Sequence, residues 1–516
     1  MCESGSDTRS RAQWIGLGAG PLLAAMTYLL LPDVFQDTQG QSVVFTHAGR
    51  VTAALAAWMA TWWMTEAIPV YATALLPLAV LPLTGATSVR DASAPYGHEL
   101  IFLFMGGFIL ALSMQRWGLH RRFAFSVLRL FGSRPRRLIG GFMVVTALLS
   151  MWVSNTATTI MMLPIALSVI EYLGGTGGQN VRKSPGGSGG MGSNFKICML
   201  LGIAYAASIG GIGTLIGTPP NLFLASYVKS NLQAEISFVR WMGVGLPLVA
   251  VFLPIVWLLL TRAIFRIEDF GPAADDESIT SMYDGLGPMN RGERATFVVF
   301  MLTALAWTLR PVLAKLAVAG SHPLAGLSDT GIAIGAAIAL FVIPVDVRQR
   351  VFVMDWQTAV KLPWGLLILF GGGLSLAASI KANGVGEFVA SQVGGFAGFH
   401  PVFLVIVVTT MLVFLTELTS NTATTVTLVP IFAALAQGLG MHPYFLIVPT
   451  AIAASCAFML PVATPPNAIV FGSGMVTIPQ MSKAGFWLNL VAIALITALT
   501  YVVAMPVLGI GSALPH

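Results

Sequence analysis

Two copies of one hexapeptide, Ser154-Asn155-Thr156-Ala157-Thr158-Thr159 and Ser420-Asn421-Thr422-Ala423-Thr424-Thr425, gather hydroxyl and carboxamide side chains inside otherwise apolar stretches. Such groups donate to a carboxylate, and their oxygens are ligands for a hard cation. A Ser-Asn-Thr turn ends one helix and starts another. The new N-terminus carries about half a positive charge on unpaired N–H groups, which attracts anions. A second pair of elements, Gly217-Thr218-Pro219-Pro220-Asn221 and Ala463-Thr464-Pro465-Pro466-Asn467, complements the first. Proline has no N–H, and the residue before it avoids helical dihedrals, so the chain unwinds and frees backbone carbonyls. The carbonyls of Gly217 and Ala463 are the ones expected to face a ligand.

Taken singly, the first motif reads as readily as a helix cap and the second as a kink. What separates the readings is where the chain puts them. Of 516 residues, 56% are hydrophobic and 9% charged, and the mean hydropathy is +0.81, whereas soluble domains carry about 25% charged residues. The chain therefore belongs in a bilayer, where unsatisfied polar groups are costly and non-helical backbone survives only inside protein or beside water. The formal net charge of +6 does not mark a nucleic-acid partner, because the basic residues fall in short connectors. Cys2, Cys198 and Cys456 form no framework, and the last two read as small buried hydrophobes.

A span needs about 20 mostly apolar residues. On that rule eleven are expected, at 12–32, 48–66, 68–84, 98–115, 195–228, 238–264, 294–312, 326–345, 362–380, 441–474 and 484–508. Two further apolar segments, 137–172 and 400–437, carry the hexapeptides at their centres and are expected to be re-entrant hairpins. Arg9 and Arg11 precede the first run without a small-residue cleavage site, so that run is expected to be retained as a span. Cytoplasmic connectors are enriched in Lys and Arg. An inside N-terminus puts Arg116, Arg121, Arg122, Arg134, Arg136, Arg137, Arg262, Arg266, Arg291, Arg294, Arg348 and Arg350 inside and leaves Arg310, Lys315 and Lys381 outside. The expectation is an all-α, multi-pass inner-membrane protein with its C-terminus outside. The stretch 174–194 reads as a glycine-rich linker, and 268–293 as an acidic connector.

An internal repeat organises these elements. Phe104, Gly106, Gly107, Leu110 and Ala111 recur as Phe370, Gly372, Gly373, Leu376 and Ala377, displaced by 266 residues. The same displacement carries Gly118 to Gly384, Ser150 to Thr416, each residue of the first hexapeptide to the second, and Pro164 to Pro430. For the proline elements it is 246. Five spans separate equivalent positions, an odd number, so the copies must face opposite ways. Inverted repeats place their sites near the midplane, between the copies. Unwound carbonyls beside hydroxyls are what discontinuous helices offer to a coupling sodium ion.

Other features carry less. Gly210, Gly211, Gly213 and Gly217 lack the GxGxxG spacing and any preceding strand, so helix packing is the better account. The GGSGG around Ser188 is linker. Trp58, Trp62 and Trp63 read as packing or an interfacial belt, and His98, His120 and His400 lack metal-ligand spacing. Glu66 reads as an interfacial cap or pair, while Glu417, three residues before the second Ser-Asn-Thr, is placed to couple to a second cation site although its counterpart is Met151.

The twin Ser-Asn-Thr turns, the twin Thr-Pro-Pro-Asn elements and the stretch Ala454–Val470, ASCAFMLPVATPPNAIV, resemble the divalent anion/sodium symporter family over essentially the whole chain. The resemblance implies an elevator-type homodimer that carries dicarboxylates, citrate or sulfate. Scaffold parts would be 1–135 and 268–396, and transport parts 136–267 and 397–516. It places one sodium with Ser150, Ser154, Asn155 and the Gly217 carbonyl, and a second with Thr416, Thr419, Ser420, Asn421 and the Ala463 carbonyl. Asn155, Thr156, Thr218, Pro219, Asn421, Thr422, Thr464 and Pro465 would hold the substrate carboxylates. Sodium serves as coupling ion, no further cofactor is implied, and the leading expectation is sodium-driven import of a C4-dicarboxylate such as succinate, malate or fumarate. An exchanger, or a sulfate or tricarboxylate carrier, stands behind it, and an intramembrane enzyme finds no nucleophile–base pair or metal cluster.

Overall fold

The computed structural model describes residues 10–36, 41–131, 134–176, 191–267, 285–316, 321–392 and 399–510. Cys2, Arg9, Ser188, most of the linker 174–194 and most of the connector 268–293 lie outside the described residues. Among the described residues helices dominate, with two short antiparallel ribbons, Val34–Gln36 with Ser42–Val44 and Pro344–Asp346 with Val351–Phe352.

Seven described helices are long and apolar enough to cross a membrane: Arg11–Leu30, Val89–Arg116, Ser193–Gly211, Phe238–Ile264, Arg291–Leu313, Trp364–Ala382 and Ile478–Leu508. Four of the eleven expected spans are shorter or divided, and a fifth, 48–66, forms the helix His47–Thr65, which is not among the seven. The segment 326–345 holds the helix Asp329–Val342. The segment 68–84 splits into Val70–Thr73 and Leu76–Leu83. At its break the Ala74 carbonyl accepts a hydrogen bond from the Tyr96 hydroxyl and lies against Gly372, where a Cβ would come within 2.2 Å of that oxygen. The segments 195–228 and 441–474 break between Gly211 and Pro219 and between Ala454 and Pro465. Hydropathy averages over such breaks, while proline dihedrals and close backbone contacts decide them.

Both hexapeptide segments fold as two helices meeting at the Ser-Asn-Thr turn: Pro135–Ser150 with Asn155–Thr176, and Pro401–Leu415 with Asn421–Gly438. A short helix precedes each pair, Leu119–Phe131 and Val385–Gln392, and the starts of all three helices keep the displacement of 266 residues. The corner before each short helix is a glycine, Gly118 with φ +73° and Gly384 with φ +72°. A side chain at either corner would strain a left-handed backbone. Both copies end alike, Phe238–Leu258 running into a π-helical turn at Leu259–Ile264 and Ile478–Leu499 into one at Thr500–Ala504.

The copies pack reciprocally. Pro219–Leu232 lies on the second copy's Asn421–Gly438, and Pro465–Gly472 lies on the first copy's Asn155–Thr176. Phe104 meets its own counterpart Phe370 edge to face at 5.4 Å. A residue touching its equivalent, with contacts exchanged in both directions, is the mark of a two-fold relation.

Around this pair, two kinds of contact join residues 136–267 to the segments on either side. Trp152, in the first Ser-Asn-Thr turn, stacks with Trp307 at 6.3 Å, and Phe238 stacks on Trp307 at 4.5 Å. Polar links also cross: Lys229 pairs with Glu99, Arg310 with Glu235 at 2.8 Å, and Asp329, itself held by Arg310 at 3.1 Å, accepts from the Phe238 N–H at 3.0 Å.

Candidate functional site

Each hexapeptide caps its own helix. Ser154 Oγ accepts from the Ala157 N–H and Ser420 Oγ from that of Ala423, so both serines act as N-caps. Thr159 and Thr425 return their hydroxyls to the Asn155 and Asn421 carbonyls, each at 2.8 Å. Asn155 and Asn421 thereby open their helices with side chains turned to the preceding arm. Ser150 Oγ lies 2.6 Å from Asn155 Oδ1 and donates to the Ala207 carbonyl at 2.7 Å. In the second copy Thr416 Oγ1 lies 2.7 Å from Asn421 Oδ1 and donates to the Ala454 carbonyl at 2.9 Å. The pairing of Ser150 with Thr416 read from the repeat is therefore a pairing of contacts too.

Around Asn155 the donor set is almost entirely oxygen. Its amide end lies 2.6 Å from Ser150 Oγ, 3.1 Å from the Ala207 carbonyl and 3.3 Å from the Gly217 carbonyl. Nδ2 is the amide atom that fits this place, its two protons shared among the three oxygens. The hydroxyl and carbonyl oxygens gathered around it are of the kind a hard cation takes.

The proline elements supply the other wall. Residues between Gly211 and Pro219, and between Ala454 and Pro465, leave the helical ladder, and two fully buried asparagines hold them. Asn221 Nδ2 donates to the carbonyls of Gly211 (3.1 Å), Ile212 (3.2 Å) and Thr214 (2.8 Å). Asn467 Nδ2 donates to Ala457 (3.3 Å) and Leu460 (3.0 Å). Thr218 and Thr464 N-cap the proline helices and are almost fully buried. Pro219 is half-buried and Pro465 exposed, while Thr156 is half-buried and Thr422 buried. The glycines act by size: a Cβ on Gly210 would meet the Ala147 carbonyl at 2.4 Å, and one on Gly217 the Gly211 carbonyl at 2.4 Å. The glycine cluster is thus a packing device.

The structure brings Asn155, Ser150 and Gly217 together, and Asn421 with Thr416. No hydrogen bond joins Asn421 to Ala463 among the described residues. Thr419 Oγ1 donates to the Leu415 carbonyl and accepts from the Thr424 hydroxyl, which leaves its oxygen one lone pair. Sequence reasoning missed Ala207, Ala454 and Thr214, because main-chain acceptors and a lone threonine carry no signature. It also missed a cavity of about 450 Å³ lined by Gln13, residues 66–71 and Ser420. Glu66 lies on that wall in a left-handed conformation, φ 48°, as the cap of His47–Thr65.

Residues 40–510 match the family described as the sodium:sulfate symporter transmembrane region. The chain belongs to that family. Among relatives of this symporter family, the sodium-dependent dicarboxylate transporter SdcS of Staphylococcus saprophyticus is 41% identical over 510 residues, covering 98% of this chain and 93% of the relative. SdcS of Staphylococcus aureus is 42% identical over 502 residues, covering 97% and 93%. Two solved structures share the fold at low identity. The YdaH transporter of Alcanivorax borkumensis superposes with a TM-score of 0.60 at 13% identity, covering 95% of this chain and 98% of that one. MtrF of Neisseria gonorrhoeae gives 0.58 at 14%, covering 96% and 95%.

Proposed function

We propose that this symporter-family chain imports C4-dicarboxylates such as succinate, malate or fumarate together with sodium. The observation that carries the reading is the oxygen cluster at Asn155, where Ser150 Oγ, the Ala207 carbonyl and the Gly217 carbonyl converge within 3.3 Å of the amide end. The sodium-dependent dicarboxylate relatives at 41% and 42% identity support it. Sodium ions would be held by Ser150, Ser154, Asn155 and Gly217, and by Thr416, Thr419, Ser420, Asn421 and Ala463. The substrate carboxylates would meet Asn155, Thr156, Thr218, Pro219, Asn421, Thr422, Thr464 and Pro465. Neither arginine nor lysine lies in these elements. Helix N-termini, hydroxyls and amides would bind the anion, and the bound cations would supply the largest charge near it. Substrate affinity then depends on sodium, which is coupling by linkage.

The rest of the proposal concerns movement. The two Ser-Asn-Thr elements act as re-entrant hairpins of an inverted repeat with eleven spans in all. Parts 136–267 and 397–516 travel as a transport domain against a scaffold of 1–135 and 268–396 in a homodimer. With the N-terminus cytoplasmic, the cavity beside Ser420 opens inward, at the inner-membrane face. The family's own description makes sulfate the second reading. Uptake of labelled succinate into proteoliposomes decides between them: it should require sodium and be competed by malate and fumarate. Unchanged uptake in choline ends the sodium-coupled reading, and competition by sulfate alone favours the second.

A further inference from the structure

The two copies fasten their unwound segments to their hairpin turns at equivalent positions with different chemistry. In the first, Thr214 Oγ1 donates to the Met151 carbonyl at 2.5 Å and accepts from the Gly217 N–H at 3.1 Å. The repeat places Glu417 where the first copy has Met151, and Leu460 where it has Thr214. Leucine has no hydroxyl to bridge with, and the carboxylate takes over. Glu417 accepts from the backbone N–H groups of Phe458 (2.7 Å), Met459 (3.0 Å) and Leu460 (3.2 Å), and from Asn489 Nδ2 at 2.8 Å. Thr214 and Glu417 are both buried. A two-for-two exchange, side chain for backbone on both partners, keeps the same two segments tied.

We infer that Thr214 and Glu417 are counterpart positioning residues, each setting the backbone that presents a carbonyl, Gly217 or Ala463, to a coupling cation. Glu417 is not itself a ligand, because four donors occupy the lone pairs of its two oxygens. It acts through the segment it holds, and because bonds to a charged acceptor are the stronger kind, the second segment is the more firmly set. This inference rests on the sodium-coupled reading above.

The test is a sodium titration of succinate uptake in proteoliposomes, with a parallel titration of thermal stabilisation of the purified full chain in detergent. Glu417→Gln keeps the shape but turns an NH₂ group toward backbone donors. It should raise the sodium concentration for half-maximal uptake about tenfold, the scale of a lost charged hydrogen bond, while the succinate KM at saturating sodium holds within about twofold. Thr214→Val should do the same from the first copy. Transplanting the first copy's solution, Glu417→Met with Leu460→Thr, should recover sodium half-saturation that Glu417→Met alone loses. A lower melting temperature in Glu417→Gln with unaltered sodium half-saturation would overturn the inference in favour of plain structural support, and so would a double variant no better than the single one. Where Glu417→Met does not fold, Glu417→Gln and Thr214→Val decide. Sodium-independent uptake by the wild type would instead refute the proposed function and leave these residues as structural ties only.

Discussion

Asn221 offers the sharpest check on how the unwound segment is held. Its side chain is fully buried, and two Nδ2 protons are shared among the carbonyls of Gly211, Ile212 and Thr214, the shortest contact being 2.8 Å. Replacement by alanine removes both donors and leaves buried carbonyls unpaired at about 1–3 kcal/mol each, partly recovered as the segment relaxes, for a net loss of about 3 kcal/mol. Asn467 has two acceptors at 3.0 and 3.3 Å, so Asn467→Ala should lose less, about 2 kcal/mol. We predict that both variants unfold at lower temperature than wild type and in that order. Cys198 and Cys456 are fully buried, so once Cys2 is replaced by serine a thiol-reactive dye in detergent reports unfolding. Asn221→Ala should also need more sodium for uptake, since the Gly217 carbonyl stands on the freed segment. Wild-type unfolding temperature in Asn221→Ala, or the reverse order of the two variants, would refute the reasoning.

Three further outcomes are expected. Gly217→Ala puts a Cβ 2.4 Å from the Gly211 carbonyl and 2.9 Å from its Cα, a backbone clash that no rotamer relieves. Sodium-driven uptake should be lost while the protein still elutes as wild type on size exclusion, and retained uptake would show that this carbonyl is not needed. Asn155→Ala and Asn421→Ala should each abolish uptake without unfolding the chain, and uptake surviving in both removes the proposed site. Neutralising the Lys229–Glu99 pair with Glu99→Gln should increase labelling of a cysteine placed at exposed Val462 by an impermeant maleimide from outside. Unaltered labelling would mean the pair does not hold this conformation.

Much of the architecture was readable because the duplication is ungapped where it matters. One displacement carries Ser150 to Thr416 and Gly118 to Gly384, and the structure returns the same contacts and the same positive φ at both ends. The hydroxyls and carboxamides at the turns were legible since polar side chains in apolar runs need a partner. Span lengths were less so. The break at Ala74–Leu75 depends on a carbonyl claimed by Tyr96, 22 residues away, which no hydropathy window registers. Main-chain acceptors such as Ala207 and Ala454 are invisible in sequence because every residue has a carbonyl. Glu417 was noticed as a carboxylate at membrane depth, but its part as an acceptor for three successive N–H groups follows only once Phe458 to Leu460 leave the helix.

The stacked rings of Trp152, Phe238 and Trp307 bear on how such a molecule would travel. Flat apolar faces have no directional bond to break, so a shift along their planes changes their energy gradually. Nearby, the pairs of Lys229 with Glu99 and Arg310 with Glu235 must separate outright before that shift can begin, as must the hydrogen bond from the Phe238 N–H to Asp329. In the proposed elevator the aromatic seam is a bearing and the ion pairs are its catch. The barrier to movement would then be set by a few charged side chains at one end of the seam, leaving most of the buried contact area free to glide.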